Sequence, residues 1–540
     1  MAPSLDGVYG ARRRVARRSV LTWCPDGLYA AAVAPKTKDS PKARKRAAAA
    51  TIEVEGPADG RALGSVPRLE REQVEELVRR AREAQPAWAA ASFRARAAVF
   101  QEARRWLIRN RARMLDMICA ETGKTYEDAQ VEVSVAAQSF AFWAKKAPRY
   151  LADERFRSRS PLAFGRRVVV RWSPVGVVGV IGPWNYPLVN CFCDAVPALM
   201  AGNAVVLKPS EATPLTALLV AEMMREAGLP EGLLGVATGD GATGEALIDA
   251  VDFVMFTGST ATGRKVMERA AKTLTPVSLE LGGKDPMIVC ADADIDRAAN
   301  AAAYYAMNNS GQVCISVERV YVEEPVYDEF VAKVTENVRG LRQGPPGGPG
   351  EVEVGAITLP AQMEVIERHV ADAREKGASV VTGGRPGAGP GRFWEPTVLV
   401  GVDHSMACMT EETFGPTLPI MRVKDVEEAI RLANDSRYGL QASVYTRDMA
   451  KARRIAERLE AGAVCVNDAQ VNFTVFDAPM GGWKESGVGT RHGPGGIRKY
   501  CRPQTILYGR FLPRRDMHMF PYSPRRSRLM ERVVAWLYGR

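Results

Sequence analysis

The chain has 540 residues, of which 46% are hydrophobic and 25% charged, a composition typical of a globular protein with two or three domains. Its net charge of +11 is uneven: residues 1–50 carry +8, residues 511–540 carry +5, and the 460 residues between them sum to −2. A nucleic-acid enzyme usually has its basic surface on the folded body, so this distribution argues against nucleic acid as a partner. No apolar run approaches the roughly 20 residues that a membrane-spanning helix needs.

Cysteine and histidine are too scattered to predict a metal site. The nine cysteines are irregularly spaced, with no C-x-x-C pair and no Cys/His cluster, and the chain has four histidines. We therefore expect no metal, and free thiols in a reducing compartment, which indicates the cytoplasm.

The first 50 residues are rich in alanine and arginine and end in PKARKRAAAA. This composition predicts a disordered basic extension. A transit peptide, or a stretch upstream of the natural start, is the alternative.

From residue 51 the pattern becomes that of an α/β protein. TIEVEGPADGRALGSV (51–66) predicts strand, turn and strand, and helices follow to about residue 150. After a β-rich stretch, strands alternate with helices predicted at 214–227, 243–250 and 262–273. This alternation is typical of a parallel sheet with crossover helices.

A second α/β pattern starts after LELGGKDPMIV (279–289) and runs to about residue 484, interrupted by a Gly/Pro loop at 343–350. At the C-terminal end, SPRRSRLMERVVAWLYGR places apolar side chains at helical spacing with arginines opposite them. This pattern favours a helix that packs on the body or on a partner subunit. A helix that lies on a membrane surface is the alternative.

Two glycine-rich turns have features of a dinucleotide site. GDGATG (239–244) matches G-x-G-x-x-G after a predicted strand, but without a convincing acidic residue on a second strand a simple tight turn explains it equally well. In FTGSTATG (256–263) a strand runs into a helix whose free N–H groups can bind pyrophosphate, and Ser259 adds a hydroxyl. Lys208 and Glu211, in VVLKPSEATP, could bracket a ribose, although solvated loop charges are common.

Three side chains supply the parts for covalent acyl chemistry. Asn185 lies in the Pro-flanked PWNYP, and Glu280 lies in an apolar strand, where a lone carboxylate is costly to bury. Cys314 follows the small residues of NSGQV. A thiol, a carboxylate and an amide can act as nucleophile, base and oxyanion donor, whereas an isolated cysteine is more often part of a core.

Taken together and in order, the motifs resemble those of the NAD(P)-dependent aldehyde dehydrogenase superfamily over residues 51–510. The matching stretches are PWNYP, GNAVVLKPSE, FTGSTATG, LELGGKDP, NSGQVCISVER, EETFGP (411–416), ANDSRYGL (433–440) and PMGGWKESGVGTRHG (479–493).

This resemblance implies roles for the three side chains. Cys314 would attack the aldehyde carbon to give a thiohemiacetal, whose oxyanion is held by the Asn185 side chain and the Cys314 backbone N–H. Hydride transfer to the nicotinamide would leave a thioester, and Glu280 would activate the water that hydrolyses it.

The resemblance also implies a cofactor site. Lys208 and Glu211 would contact the adenosine ribose, Ser259 the pyrophosphate, and Glu412 and Phe414 the nicotinamide ribose and ring. Because a carboxylate at 211 would repel a 2′-phosphate, we expect NAD rather than NADP. Further cofactor contacts are implied at Trp184, Ser210, Gly241, Gly258 and Gly263.

The implied α/β architecture has three parts. A Rossmann-like cofactor domain takes residues 51–153 and 172–282, and an α/β catalytic domain takes 283–484. A small β extension that pairs subunits takes 154–171 and 485–512, and a basic amphipathic tail takes 513–540. The family assembles as dimers or tetramers.

The motifs leave the identity of the aldehyde substrate undetermined. CISVERVYVE and GVGTRHGPGGIRKY are similar to a bacterial branch of succinate-semialdehyde dehydrogenases, but many semialdehyde enzymes have an arginine six residues before the cysteine, where this chain has Asn308. Apolar, aromatic or long-chain aldehydes are the alternative.

Two other reaction classes fit the sequence less well. A CoA-acylating enzyme would normally lack Glu280, and a thiol hydrolase would need a histidine partner that no motif supplies.

Overall fold

The structure is a computed structural model, and it describes residues 51–157, 160, 163, 165–509, 512, 514–516 and 518–539. The extension predicted at residues 1–50 lies outside the described residues.

The secondary structure alternates as the sequence predicts from residue 204 onward. The strands are β1 Thr51–Glu55, β2 Ala62–Pro67, β3 Glu154–Arg157, β4 Arg166–Pro174, β5 Val177–Ile181, β6 Ala204–Lys208, β7 Leu234–Val236, β8 Phe253–Thr257, β9 Val277–Glu280, β10 Asp285–Val289, β11 Val317–Glu323, β12 Ser379–Thr382, β13 Thr397–Val400, β14 Thr417–Val423, β15 Tyr438–Gly439, β16 Gln441–Tyr445, β17 Ala463–Val466, β18 Trp483–Lys484, β19 Gly487–Val488 and β20 Cys501–Gly509.

The α-helices are α1 Arg71–Ala90, α2 Phe93–Arg109, α3 Arg111–Thr122, α4 Tyr126–Tyr150, α5 Ala195–Met200, α6 Leu215–Glu226, α7 Gly241–Ala250, α8 Thr260–Ala271, α9 Ile295–Met307, α10 Tyr327–Arg339, α11 Pro360–Glu375, α12 Ala407–Thr410, α13 Val426–Asn434, α14 Met449–Ala456, α15 Gly493–Arg498 and α16 Pro524–Tyr538. A π-helix spans Pro187–Phe192, and 3-10 helices span Asn308–Gly311, Glu324–Val326 and Val471–Thr474.

The first large sheet has the strand order β19-β9-β8-β5-β6-β7. The four strand pairs from β9 to β7 are parallel, and only the short β19 pairs antiparallel. Strands β5, β6 and β8 are buried along their whole length, as expected for a parallel sheet covered by helices on both faces. The carboxyl ends of four neighbouring strands therefore meet at one edge, which is where open α/β sheets bind ligands.

The second large sheet has the order β12-β13-β14-β11-β10-β16-β17 and is parallel except for its edge strand β12. Strand β9 of the first sheet ends at Glu280 and β10 of the second begins at Asp285. Only residues 281–284 connect them, so the carboxyl edge of the first sheet is held against the amino edge of the second.

A third, smaller sheet has the order β20-β4-β3 and is antiparallel. Strand β4 runs to Pro174, three residues beyond the position where the sequence places the end of the extension. Residues 487–488 pair with the first large sheet rather than with this one, because β19 aligns with Leu279 and Glu280.

A buried ion pair ties α4 to the turn that follows β5. Lys124 Nζ lies 2.6 Å from Glu132 Oε1 and donates to the Asn185 carbonyl at 2.7 Å. Both side chains are fully buried, and the Lys124 ammonium also lies 3.9 Å from the centre of the Tyr186 ring. The second Glu132 oxygen accepts from the backbone N–H groups of Leu188 and Val189. The pair thus fixes the backbone at Asn185 and in the segment that follows it.

We predict that Lys124→Met costs about 3–5 kcal/mol of stability, because it leaves the Glu132 carboxylate buried without its cation. Lys124→Met with Glu132→Gln is expected to be less destabilised than Lys124→Met alone. Denaturant unfolding of the three proteins measures the coupling. The control is Lys333→Met, which removes a cation paired with Asp296 at the surface and should leave unfolding unchanged. Equal losses for Lys124→Met and the control would contradict the assignment.

Candidate active site

The turn containing Asn185 is bonded directly to the loop that precedes Cys314. Asn185 follows β5, and its side chain is buried and donates to the Gln312 carbonyl at 2.9 Å. Asn309 Nδ2 donates to the same Gln312 carbonyl at 3.1 Å and to the Asn185 carbonyl at 3.3 Å. Two segments 127 residues apart in sequence are thereby held in one hydrogen-bonded unit.

The backbone before Cys314 adopts an uncommon conformation. Asn309, Ser310 and Gly311 are consecutive residues with φ of 49°, 56° and 70°. Non-glycine residues in this region cost energy and persist where their surroundings hold them, often at functional sites. Here Ser310 Oγ donates to the Gly355 carbonyl at 3.0 Å, and a side chain on Gly311 would overlap the backbone of Gly415. This strained turn fixes how the chain enters residue 314.

Cys314 is partly exposed, whereas its neighbours Val313 and Ile315 are buried. It packs in an apolar cluster with Tyr186, Phe473 and Met480 among its members. Burial raises the pKa of the Cys314 thiol to about 12, against the opposing effect of Arg491. The accessible sulfur is therefore a neutral thiol at rest and needs a proton acceptor to become a nucleophile.

Glu280 has the properties of such an acceptor. It ends β9 and is buried, and its Oε1 has no hydrogen-bond partner among the residues that the structure describes. Burial raises its pKa to about 7, while the charges of Arg491 and Lys499 act in the opposite direction. A carboxyl group with this pKa can exchange protons near neutrality.

Arg491 is the cation that acts on both Cys314 and Glu280. Its guanidinium forms a bidentate pair with the buried Asp194, with Nε–Oδ1 and Nη2–Oδ2 distances of 2.9 and 2.8 Å. Nη2 also donates to Thr257 Oγ1 at 2.7 Å. Burial disfavours the charged guanidinium, but Asp194 and Glu280 outweigh it and raise the Arg491 pKa. The cation is thus permanent and fixed in position.

A second buried pair holds the EETFGP loop. Lys284 Nζ lies 2.6 Å from Glu318 Oε2, and Glu318 accepts from the backbone N–H groups of Thr413 at 2.8 Å and Phe414 at 3.0 Å. Glu412 Oε1 in turn accepts from the Gly283 N–H at 3.0 Å. The residues connecting the two sheets therefore also position the loop that carries Glu412.

The glycines between the sheets leave room that a side chain would fill. A Cβ on Gly282 would lie 2.6 Å from Glu412 Cδ, and one on Gly283 would lie 2.5 Å from the Cys314 carbonyl oxygen. Trp184 and Phe414 face each other edge to face with ring centroids 5.4 Å apart. Residues 184, 282, 314 and 414 thus border the same junction.

The residues predicted to hold the cofactor lie at the carboxyl edge of the first sheet. Lys208 ends β6, is buried, and pairs with the exposed Glu211 at 3.3 Å. The Ser210 hydroxyl accepts from the Ala212 N–H, which shapes the same turn. This edge presents one ammonium and one carboxylate side by side, a pair that fits ribose hydroxyls.

Ser259 caps α8 after the end of strand β8, which is separated from β6 by β5 in the same sheet. Its Oγ accepts from Thr262 N at 3.3 Å, and the residue is exposed. Gly258 is partly exposed beside it, while a Cβ on Gly263 would lie 2.5 Å from Leu281 Cδ2. The open helix start and the small residues around it suit a pyrophosphate.

GDGATG (239–244) lies at the start of α7, beside the carboxyl edge of the first sheet. Asp240 caps α7 by accepting from Ala242 N at 2.9 Å, and Gly241 is exposed. A Cβ on Gly244 would lie 3.9 Å from Lys208 Cδ, so the first turn of α7 adjoins the Lys208 stem.

Among the described residues no group of three His, Cys, Asp or Glu side chains is arranged to hold a metal ion.

Sequence reasoning did not identify the three buried ion pairs or Gln312. Lys124 and Glu132 are eight residues apart in a stretch with no catalytic motif, and Asp194 is 297 residues from Arg491. The only available signal was that charged residues in buried segments need partners.

Known proteins resemble the chain over most of its length. It matches the aldehyde dehydrogenase family over residues 44–506. A Mycolicibacterium smegmatis protein named "Putative succinate-semialdehyde dehydrogenase [NADP(+)]" is 44% identical over 457 residues, 84% of this chain and 88% of that protein. The "4,4'-diapolycopene aldehyde oxidase" of a Methylomonas species is 39% identical over 497 residues, 91% of this chain and 92% of that protein.

Among solved structures, a Staphylococcus aureus betaine aldehyde dehydrogenase in complex with NAD+ matches with a TM-score of 0.81 at 32% identity, over 86% of this chain and 93% of that chain. The predicted α/β fold and the resemblance seen in the motifs are confirmed by these matches. The chain belongs to the aldehyde dehydrogenase family and is an NAD(P)-dependent enzyme that oxidises aldehydes.

Proposed function

We propose that the chain converts an aldehyde to a carboxylic acid through a thiohemiacetal and a thioester on Cys314. The observation that carries this proposal is the junction itself, where Asn185 donates to the carbonyl two residues before the partly exposed Cys314, and where Glu280, a buried carboxyl group with an unpartnered oxygen, acts electrostatically on Cys314. Asn185 would stabilise the oxyanion and Glu280 would act as base.

The first step needs a proton acceptor, since the Cys314 thiol is neutral. Its proton passes to Glu280, and the thiolate forms a bond to the aldehyde carbon. An amide nitrogen carries two hydrogens, so the Asn185 bond to Gln312 leaves the second one for the oxyanion. A preorganised donor of this kind typically contributes about 10²–10³ in rate.

A bound nicotinamide supplies the hydride acceptor. Loss of hydride from the thiohemiacetal re-forms the carbonyl and leaves a thioester on Cys314. Glu280 releases the thiol proton to solvent and then takes a proton from water. The hydroxide attacks the thioester carbon, and the C–S bond breaks, so that the acid leaves and the Cys314 thiolate is regenerated. Arg491, paired with Asp194, stabilises negative charge on Cys314 and Glu280 alike.

Cofactor binding is assigned to the edge formed by β6 and β8. Lys208 and Glu211 would hold the adenosine ribose, Ser259 and Gly258 the pyrophosphate, and Glu412 and Phe414 the nicotinamide half. The Glu211 carboxylate favours NAD because it repels a 2′-phosphate. The Glu211 side chain is exposed, and if it turned away from Lys208, Lys208 would pair with the 2′-phosphate of NADP instead. NADP is the cofactor in the name of the 44% identical relative.

For the substrate, the surroundings of Cys314 favour a neutral, apolar aldehyde. Three carboxyl groups lie near it, Asp285, Glu412 and Glu280, and burial raises the pKa of each, so they are not fixed negative charges near neutrality. The nearby cation Arg491 is already paired with Asp194, and Tyr186, Phe473 and Met480 add apolar surface. A substrate carboxylate would therefore find no unpaired cation among these groups. The name of the 39% identical relative describes an apolar aldehyde of this kind.

Succinate semialdehyde is the second candidate, supported by the name of the 44% identical relative. The position that would carry a cation is Asn308, whose Nδ2 donates to Gln470 Oε1 at 2.9 Å. Gln470 is itself held by a bond from its Nε2 to the Tyr305 carbonyl. An amide pair therefore occupies the place where a carboxylate-binding arginine is expected.

The third sheet is proposed to pair subunits into a dimer or tetramer. Phe156 on β3 and Leu507 on β20 both align with Val168 on β4, and both are exposed. Tyr508 is exposed next to them. An apolar band across an antiparallel sheet of this kind suits a subunit interface.

We predict that kcat rises with pH through about 7 and then levels off, because Glu280 works as a base only when ionised and its pKa is about 7. Glu280→Gln should lower kcat by about 10²–10⁴ and remove this inflection. NAD(P)H absorbance between about pH 5.5 and 9 measures both.

A matched control exists in Glu121, another fully buried glutamate whose pKa burial raises to about 7. It caps α6 by accepting from the backbone of Leu215 and Thr216, so Glu121→Gln should keep the inflection. If Glu280→Gln turned over normally with the inflection intact, the base assignment would be wrong.

We predict that the wild-type enzyme has a higher kcat/KM for hexanal than for succinate semialdehyde. Asn308→Arg should raise the ratio in favour of the semialdehyde by about 10–100-fold, because Gln470 can accept from the guanidinium and orient it toward the carboxylate. Asn300→Arg, at an exposed position of α9, the helix that ends just before Asn308, is the control. A wild-type preference for succinate semialdehyde would contradict the apolar assignment.

A further inference from the structure

The helix Pro524–Tyr538, called the tail helix here, has none of its described residues buried. Its N-terminus is well formed, because Ser523 Oγ accepts from Arg526 N. The sequence favoured a helix packed on the body or on a partner subunit, but within the chain its apolar side is left exposed. It is 15 residues long, and no described helix is long and apolar enough to cross a bilayer.

The tail helix is strongly amphipathic. At 100° per residue, Leu529, Met530, Val533, Trp536 and Leu537 form one apolar face. Trp536 and Tyr538 are each 69% exposed, and Leu529 is 49% exposed. In the segment leading into the helix, Phe520 and Tyr522 are 75% and 69% exposed and stack at 4.7 Å.

Positive charge borders this apolar face. Arg525, Arg528 and Arg532 fall on the flank next to Trp536. Residues 511–540 contain seven arginines and two acidic residues, and one of the acids, Asp516, is already paired with Arg166 at 2.7 Å. The segment therefore presents a cationic rim around exposed aromatic and aliphatic side chains.

We propose that the tail helix docks in the surface plane of an anionic phospholipid bilayer. Tryptophan and tyrosine favour the headgroup region, where an apolar ring and a polar edge are both satisfied, and arginines beside them reach lipid phosphates. A second copy is disfavoured as the occupant, because the same cationic rim would face itself and the body of the chain between residues 51 and 510 carries almost no net charge. Docking stands apart from the proposed catalysis, although it would place the enzyme where apolar aldehydes concentrate.

The test is sedimentation of the full chain with phosphatidylcholine vesicles, with and without about 30% phosphatidylglycerol. We expect binding to the anionic vesicles that weakens as salt rises from about 0.1 to 0.5 M. Each arginine near such a surface contributes about fivefold in affinity, so Arg528→Gln with Arg532→Gln should weaken binding about thirtyfold.

Leu529→Glu with Trp536→Glu should abolish binding, because both residues lie on the apolar face. Met449→Glu, at a residue 61% exposed on the body, should leave binding unchanged.

Absence of vesicle binding would overturn the proposal, as would equal binding to neutral vesicles. A lower mass of the Leu529→Glu, Trp536→Glu variant in light scattering without vesicles would overturn it too and identify a second copy as the occupant. Turnover of a short, water-soluble aldehyde should be the same in all tail variants, so failure of docking is distinguishable from failure of the proposed catalysis.

Discussion

The four residues from Leu281 to Lys284 are the constraint on which the site depends. They carry the chain from the last parallel strand of one sheet to the first of the next, so two sheet edges must meet. Lys284 then pairs with Glu318, which orders the loop of Glu412 and Phe414. The Gly283 N–H donates to Glu412, and Gly283 borders Cys314. A short connection that would ordinarily only join two domains thereby also shapes the space between them.

The titratable groups around that junction are buried, and burial raises the pKa of its carboxyl groups and of its thiol. It keeps the Cys314 thiol neutral and gives Glu280 a pKa of about 7, while Arg491 is the fixed cation that moderates both. On our proposal this balance protects the sulfur from adventitious reaction at rest and supplies a proton acceptor when an aldehyde arrives. Because Arg491 is already paired with Asp194, it is not free to bind an anionic substrate, so reactivity and substrate choice have a common electrostatic origin.

The sequence predicted the fold well because parallel strands and crossover helices leave a local periodic signal. It also predicted Asn185, Glu280 and Cys314 as candidate site residues, since their residue types are unusual in their settings. Lys124 and Glu132 are only eight residues apart and were missed because no motif marks them, whereas Asp194 and Gln312 were missed because their partners are 297 and 127 residues away. The strained turn at Asn309 and Ser310 was missed for a related reason, because neither residue is a glycine and nothing in the local sequence signals a positive φ.

The central claim is that an acyl group is transferred to one particular sulfur. Rapid acid quenching of the wild-type enzyme during its first turnover with an aldehyde and NAD(P), followed by peptide mass spectrometry, tests it directly. The account predicts one acyl group on the peptide that contains Cys314 and unmodified peptides for Cys119, Cys191 and Cys193. Formation of NAD(P)H with no acyl group on Cys314, or with the acyl group on another cysteine, would contradict it.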